Sequence, residues 1–141
     1  MNLDNVPEPD DVTGDWWAAT REHRLLVQRC RACAHLQHPP RALCTGCGSM
    51  ADLEFVPGSG HGTVDACTVV HRAPRPDATA PYVVARVRLA EGPILLTQLH
   101  GSDPASWQIG APVSVAWVDL PDGRALPVFT SPTSSSNRQD S

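Results

Sequence analysis

The chain has 141 residues, with 11 Lys and Arg against 15 Asp and Glu and a net charge of −4, so its length fits one domain or two very small units, and no general electrostatic pull toward nucleic acid or an anionic membrane exists. Hydrophobic residues make up 41% of it, enough for one modest core, which excludes a wholly disordered protein. Fourteen Pro and ten Gly, with no Lys, favour short strands and loops and leave little room for an all-helical fold.

The opening MNLDNVPEPDD is acidic, with neither a basic start nor an apolar run, and does not read as a secretory signal. No segment approaches the ~18 continuous apolar residues of a membrane span, and the expected location is the cytoplasm. From Thr13 to Arg24 the run TGDWWAATREHR is predicted to form a short helix capped by Thr13 or Asp15. Trp16 and Trp17 lie near its start. Adjacent positions on a helix point in different directions, so at least one of the two rings is expected to pack elsewhere or meet a partner.

LLVQRC (Leu25 to Cys30) reads as a strand feeding the sharpest motif in the chain. Cys30, Cys33, Cys44 and Cys47 form C-x2-C, ten residues, C-x2-C. Each pair wraps a turn that aims two sulfurs at one ion, and two such turns complete a tetrahedral S4 site. A reducing compartment favours metal-bound thiolates over disulfides. All four positions are filled by protein, leaving none for water or substrate, so the site is read as structural. Zinc binding to such peptides releases roughly 10 to 16 kcal/mol at neutral pH, enough to fold a ribbon too small to own a core. Iron is the competing metal, and spacing alone does not separate the two; a structural role needs no redox partner, which favours zinc. His35 and His38 lie between the two pairs and are read as surface residues, and Pro39 and Pro40 suit the intervening loop.

After Cys47 comes a connector punctuated by Gly58, Gly60 and Gly62, then five strand-like segments. They are Thr63 to Val70, Tyr82 to Leu89, Ile94 to Leu99, Pro112 to Val118 and Leu126 to Phe129. In the second, Val83, Ala85, Val87 and Leu89 alternate with Tyr82, Val84, Arg86 and Arg88, one buried face and one wetter face. Glu91-Gly92-Pro93 and Pro121-Asp122-Gly123 mark turns. Five short strands of this kind suggest a small closed or partly open barrel. Cys67 falls inside the first of them, and alternation sets it opposite Val64 and Ala66 as a half-buried small hydrophobe; His71 is weak support for a nucleophile there. The tail SPTSSSNRQDS is too polar to pack and is expected to be disordered.

Several of these stretches, in this order, resemble the DUF35 family: Trp16-Trp17 in the leading helix, LLVQRCRAC, HPPRALCTGCGS, GSGHGTV, PYVVARVRL, the IG-x-PV pattern at Ile109 to Val113 and the closing LPVF. The resemblance covers residues 13 to 130, with Ala34 departing from the Gly often found after the first cysteine pair. It implies a mainly β fold: an N-terminal segment and helix over 1–28, a rubredoxin-like zinc ribbon over 29–54, a five-stranded OB-fold barrel over 55–130 and a tail over 131–141. It also implies a non-catalytic partner of thiolase-fold acyl-CoA enzymes, such as a steroid side-chain aldolase or a thiolase, assembled as an α2β2 heterotetramer with one structural zinc per chain. Catalytic residues would then lie on the partner, in keeping with the lack here of paired carboxylates in one motif, a G-x-S-x-G, an open metal site or a phosphate loop. The helix and ribbon, with Trp16, Trp17, Pro39 and Pro40, would form the docking surface. The Pro-rich loop His71 to Pro81 would carry Arg72 and Arg75 toward the CoA phosphates. The alternative is a module that binds single-stranded nucleic acid, since OB-folds often do; such a groove wants a basic track with aromatic platforms, and this chain is acidic with only Tyr82, Trp117 and Phe129 in its strands.

Overall fold

A computed structural model describes residues 6–72 and 79–132 of the chain. Arg75, most of the loop that carries it and the tail beyond Pro132 lie outside the described residues. Among the described residues one α-helix, α1 (Gly14–Thr20), precedes eight strands: β1 (Leu26–Cys30), β2 (Leu36–Gln37), β3 (Leu53–Pro57), β4 (His61–Val70), β5 (Tyr82–Leu89), β6 (Ile94–Leu99), β7 (Pro112–Asp119) and β8 (Ala125–Thr130), with a short 3-10 turn at Pro104–Ser106 between β6 and β7. The order β2-β1-β3 makes a three-stranded sheet, and β4-β5-β6-β8-β7 closes a barrel. No helix among the described residues is long and apolar enough to cross a membrane.

Two compact units divide the chain. The first comprises residues 6–59 together with 91–93 and 117–127, and the second holds the remaining barrel residues. In the first unit, α1 is shorter than its sequence pattern suggests and is not held by the expected caps. Thr13 occupies the N-cap position without a side-chain cap bond. Asp10 instead gathers the entry turn, its carboxylate accepting from the Val12 amide (2.9 Å), the Thr13 amide (2.8 Å) and the Thr13 hydroxyl (3.0 Å), which satisfies donors that a helix start leaves orphaned. At the other end the Thr20 hydroxyl turns back to donate to the Trp17 carbonyl (2.6 Å) and accepts from the Ala125 amide (3.1 Å). His23 then enters the left-handed region at φ 56, ending the helical path.

Both tryptophans are buried at 7% exposure; of the two outcomes expected of adjacent rings, packing in separate places or meeting a partner, the structure shows the first. The rings meet edge to face at 4.9 Å and find different walls. Trp16 donates its Nε1–H to the Leu26 carbonyl at 3.0 Å, while Trp17 lies under the Arg124 guanidinium, 4.6 Å from the ring centroid. Arg124, at 1% exposure, donates through Nε to Asp122 (2.6 Å) and through Nη1 to the Pro7 carbonyl (2.7 Å). A buried guanidinium needs a carboxylate and an aromatic face of this kind to offset its desolvation.

The stretch after Cys47, expected as a connector, contains β3, which pairs antiparallel with β1 from Leu26↔Pro57 through Cys30↔Leu53. Glu54 and Pro57 break the apolar pattern that would mark it as a strand, and β1 supplies the missing reason to extend: an unpaired edge.

In the second unit β4 and β5 pair along most of their length, with a bulge between Val64 and Ala66. The extra residue flips the alternation. Val64 opposes the buried Val87, while Cys67 opposes the buried Ala85; Val64 and Cys67 therefore share the inner face, and Ala66 stands with Arg86 outside. This corrects the simple alternation reading, which set Cys67 opposite Val64. Gly62 is required by close approach: a Cβ there would sit 2.6 Å from the Arg88 carbonyl oxygen and 2.7 Å from Val87 Cγ1.

Candidate metal centre and the surface it fixes

Two turns of the same design build the metal centre. In the first, the Cys30 amide donates to the His35 carbonyl (2.9 Å) and the Ala34 amide to the Cys30 carbonyl (2.8 Å). In the second, the Cys44 amide donates to the Ser49 carbonyl and the Gly48 amide to the Cys44 carbonyl, both at 2.8 Å. The residue after the second cysteine is left-handed in each, Ala34 at φ 65 and Gly48 at φ 82. That backbone turn lets both sulfurs of a pair face one point.

The four sulfurs converge. All lie within 4.8 Å of one another, with Cys30 to Cys47 at 3.8 Å and Cys33 to Cys44 at 3.6 Å. A tetrahedron with metal–sulfur bonds of ~2.3 Å has edges of about 3.8 Å, whereas a disulfide would bring two sulfurs to about 2.05 Å. The cysteines are free, and their spacing fits one four-coordinate ion with no position left for water or substrate.

Thiol acidity follows the same geometry. The Cys47 amide, then the Gly46 amide and the Cys33 thiol, pull the Cys44 thiol down to about 6 against desolvation. At Cys33 the His35 backbone favours the thiolate, but desolvation and hydrogen bonds with Cys44, Cys47 and Cys30 outweigh it and push the thiol up to about 12. Sulfurs this close share protons, and a divalent cation replaces those protons on binding.

Neither intervening histidine is a ligand. His35 is exposed and bonds the Thr45 hydroxyl at 2.9 Å. His38 is not the surface residue expected: its ring packs 5.7 Å from that of Trp16, and burial lowers its pKa to about 4.

Behind the cysteines lies a polar network that sequence reading missed. Gln28 and Gln37 face each other across β1 and β2 and are buried at 4% and 6% exposure. Gln37 donates to Gln28 (2.7 Å) and to the Leu43 carbonyl (3.0 Å), and its own carbonyl accepts from the Thr45 amide (2.9 Å) and hydroxyl (3.0 Å). Gln28 in turn bonds the backbone of Arg41 in both senses, accepting at 2.8 Å and donating at 2.9 Å. The two carboxamides thus act as a false strand for the Pro39–Thr45 loop and hold the second cysteine turn in place. A glutamine inside the apolar run LLVQRC was the available signal.

Of the other sequence-predicted positions, Pro39 is exposed and Pro40 half-buried on the ribbon loop, with Leu43 and Met50 among the exposed large hydrophobics. Arg72 is exposed just beyond β4; Arg75 lies outside the described residues. Cys67 is half-buried and faces the barrel interior.

Fold and site together define a protein made of a four-cysteine metal ribbon and a five-stranded barrel. Family models match both parts: one described as "ChsH2, rubredoxin-like zinc ribbon domain" over residues 17–53, and one described as "ChsH2, C-terminal OB-fold domain" over residues 55–118. A DUF35 domain-containing scaffold protein of Methanocaldococcus jannaschii is 31% identical over 75% of this chain and 76% of its own length. The alpha subunit of the 3-oxo-4,17-pregnadiene-20-carboxyl-CoA hydratase of Mycobacterium tuberculosis is 39% identical over 82% of this chain, which spans only 37% of that subunit. Among solved structures, a chain of the Ltp2-ChsH2(DUF35) aldolase superposes with a TM-score of 0.81 at 40% identity, covering 89% of this chain and 98% of that one. The chain belongs to the DUF35 family, and its four-cysteine ribbon is a structural zinc site.

Proposed function

We propose that this protein is a non-catalytic accessory subunit that docks on a thiolase-fold acyl-CoA enzyme, of the steroid side-chain aldolase or thiolase type, stabilising it and helping to form its CoA-substrate site. The main support is the match to nearly the whole of one chain in the Ltp2-ChsH2(DUF35) aldolase; the hydratase subunit of M. tuberculosis supports an acyl-CoA setting, and the archaeal relative is named a scaffold. The assembly proposed is an α2β2 heterotetramer in the cytoplasm. In it the closed zinc site provides rigidity and no chemistry. Pro39 and Pro40 contact the partner, Trp16 and Trp17 hold the surface from beneath, and Arg72 and Arg75 reach the CoA phosphates as charge-assisted donors.

Affinity purification of the tagged protein from its native cells, with mass spectrometry of whatever co-elutes at near-stoichiometric amount, tests this reading. A thiolase-fold enzyme is the expected result. A monomer with no such partner, or salt-sensitive binding of single-stranded nucleic acid, would overturn it. Within the reconstituted complex, Arg72→Ala with Arg75→Ala is expected to weaken acyl-CoA binding several-fold; unchanged affinity would remove the phosphate contact alone.

A further inference from the structure

One groove lies entirely within the first unit. It has a volume of about 750 Å³ and runs between α1 and the β1–β3 face of the ribbon, within the range of sites that hold small ligands. Register explains its floor: Leu26↔Pro57, Gln28↔Phe55 and Cys30↔Leu53 are cross-strand pairs, so Leu26, Phe55 and Leu53 share one side of the sheet. All three are only half-buried. Asp11 and Asp15 lie on the helix side, both exposed, and their carboxylates make no hydrogen bond or ion pair with the described residues. The remaining carboxylates on the rim are already engaged, Glu22 with Arg24 at 3.0 Å and Glu54 with Arg29 at 3.6 Å; with Arg24 and Arg41 as the lining cations, four carboxylates face two guanidiniums and the groove is acidic.

A small-molecule site would bring buried polar groups to bear on its ligand. Here the buried polar side chain, Gln28, spends its carbonyl and amide on Arg41 and Gln37, and the other polar groups sit on an exposed rim. The construction suits a stretch of polypeptide that covers the apolar floor and brings positive charge to the two unpaired aspartates. We infer that the groove between α1 and the ribbon sheet receives an extended segment of the partner protein that carries an Arg or Lys, set against Asp11 and Asp15, next to an apolar side chain set on Leu26, Leu53 and Phe55. The inference rests on the accessory-subunit reading for the identity of the partner and on the groove itself for the chemistry of the segment.

Two arms separate those dependencies. In the first, a phage-displayed random dodecapeptide library is selected on the full-length zinc-bound chain. Enriched peptides are expected to carry a basic residue beside an apolar one, and to lose affinity roughly fivefold to tenfold on Asp11→Asn with Asp15→Asn but not on Glu8→Gln with Asp103→Asn, which removes the same charge elsewhere. In the second, p-benzoylphenylalanine replaces Ala18, or Ala42 if the first variant misfolds, and the enzyme identified by co-purification is added. Photolysis is expected to cross-link a partner peptide containing Arg or Lys. Peptide binding indifferent to the aspartates, absence of any enriched peptide, or cross-links only to this chain's own residues or a second copy would overturn the groove inference. If a thiolase-fold enzyme binds equally well with and without the aspartates, the groove falls and the accessory reading stands; if groove-dependent peptides are found but no such enzyme co-purifies, the reverse holds.

Discussion

Ala34 holds a left-handed conformation at φ 65 where the other cysteine turn has Gly48 at φ 82. An L-residue in that region is destabilised by roughly 1–2 kcal/mol through the crowding of its Cβ, offset in part by the lower entropy of the unfolded chain relative to one with Gly. Ala34→Gly is therefore expected to stabilise the zinc-bound protein by about 0.5–1 kcal/mol, read from denaturant midpoints; an unchanged or lower midpoint would remove the strain from the account. His38 makes a prediction of the opposite kind. Its pKa is about 4 in the folded chain against an ordinary 6.5, so as pH falls below 6.5 the unfolded chain takes up a proton that the folded chain refuses. Stability from the neutral ring is full above pH 6.5 and is lost as pH falls toward 4. Between pH 7.5 and pH 5 the wild type is expected to lose about 2 kcal/mol more than a His38→Leu variant, and parallel loss in the two proteins would count against burial as the cause.

At the scale of elements, what was legible depended on whether the signal was local. The cysteine turns show in the sequence because each needs only neighbours a few positions apart. The β5 alternation shows because its inner residues, Val83, Ala85, Val87 and Leu89, are all buried. β3 did not show, since its strand character comes from the unpaired edge of β1 and not from its own residues. The bulge that turns Cys67 inward has no local signature either. The Gln28–Gln37 network needs the pairing of two strands before it exists at all. Replacing Gln37 by Leu would remove the acceptor of the Thr45 amide and hydroxyl and the donor to the Leu43 carbonyl, at a cost of about 0.5–1.5 kcal/mol for each hydrogen bond lost, since Thr45 and Leu43 are exposed to water. The variant is expected to lose zinc to a chelator several times faster than wild type; equal release rates would show that the network does not support the second cysteine turn. Gly62→Val tests the barrel in the same spirit. A side chain forced against the Arg88 carbonyl is expected to prevent β4 from pairing with β5 and to leave little folded protein, whereas native thermal unfolding would mean that the strands can separate to admit it.

For the molecule as a whole, the zinc site and the barrel core are supported by different means. The ribbon sheet relies on four sulfurs and two glutamines, while the barrel buries Val64, Val83, Val87, Leu95, Leu99 and Phe129. Removing zinc with a chelator is expected to raise amide exchange over residues 26–57 while β5 and β6 keep slow exchange, followed by mass spectrometry; simultaneous loss in both would make zinc the support of the entire fold. A reading of the sequence from one end to the other identifies ribbon and barrel strands, but it gives no hint that residues 117–127 cluster with the helix and ribbon, because that grouping comes from contacts about a hundred residues apart, those of Arg124 with Pro7 and Trp17, of Ala125 with Thr20, of Asp122 with Arg21 and of Asp119 with His23.

Arg124 reaches back to the Pro7 carbonyl and the face of Trp17, and this has a consequence for how the protein comes into being. A ribosome delivers Pro7 and Trp17 before Arg124, so the nascent helix and ribbon wait, with the Trp17 face that Arg124 covers still open, until the strands between them have been made. Metal capture by the cysteines during synthesis is then available to fix the ribbon before the first unit can close.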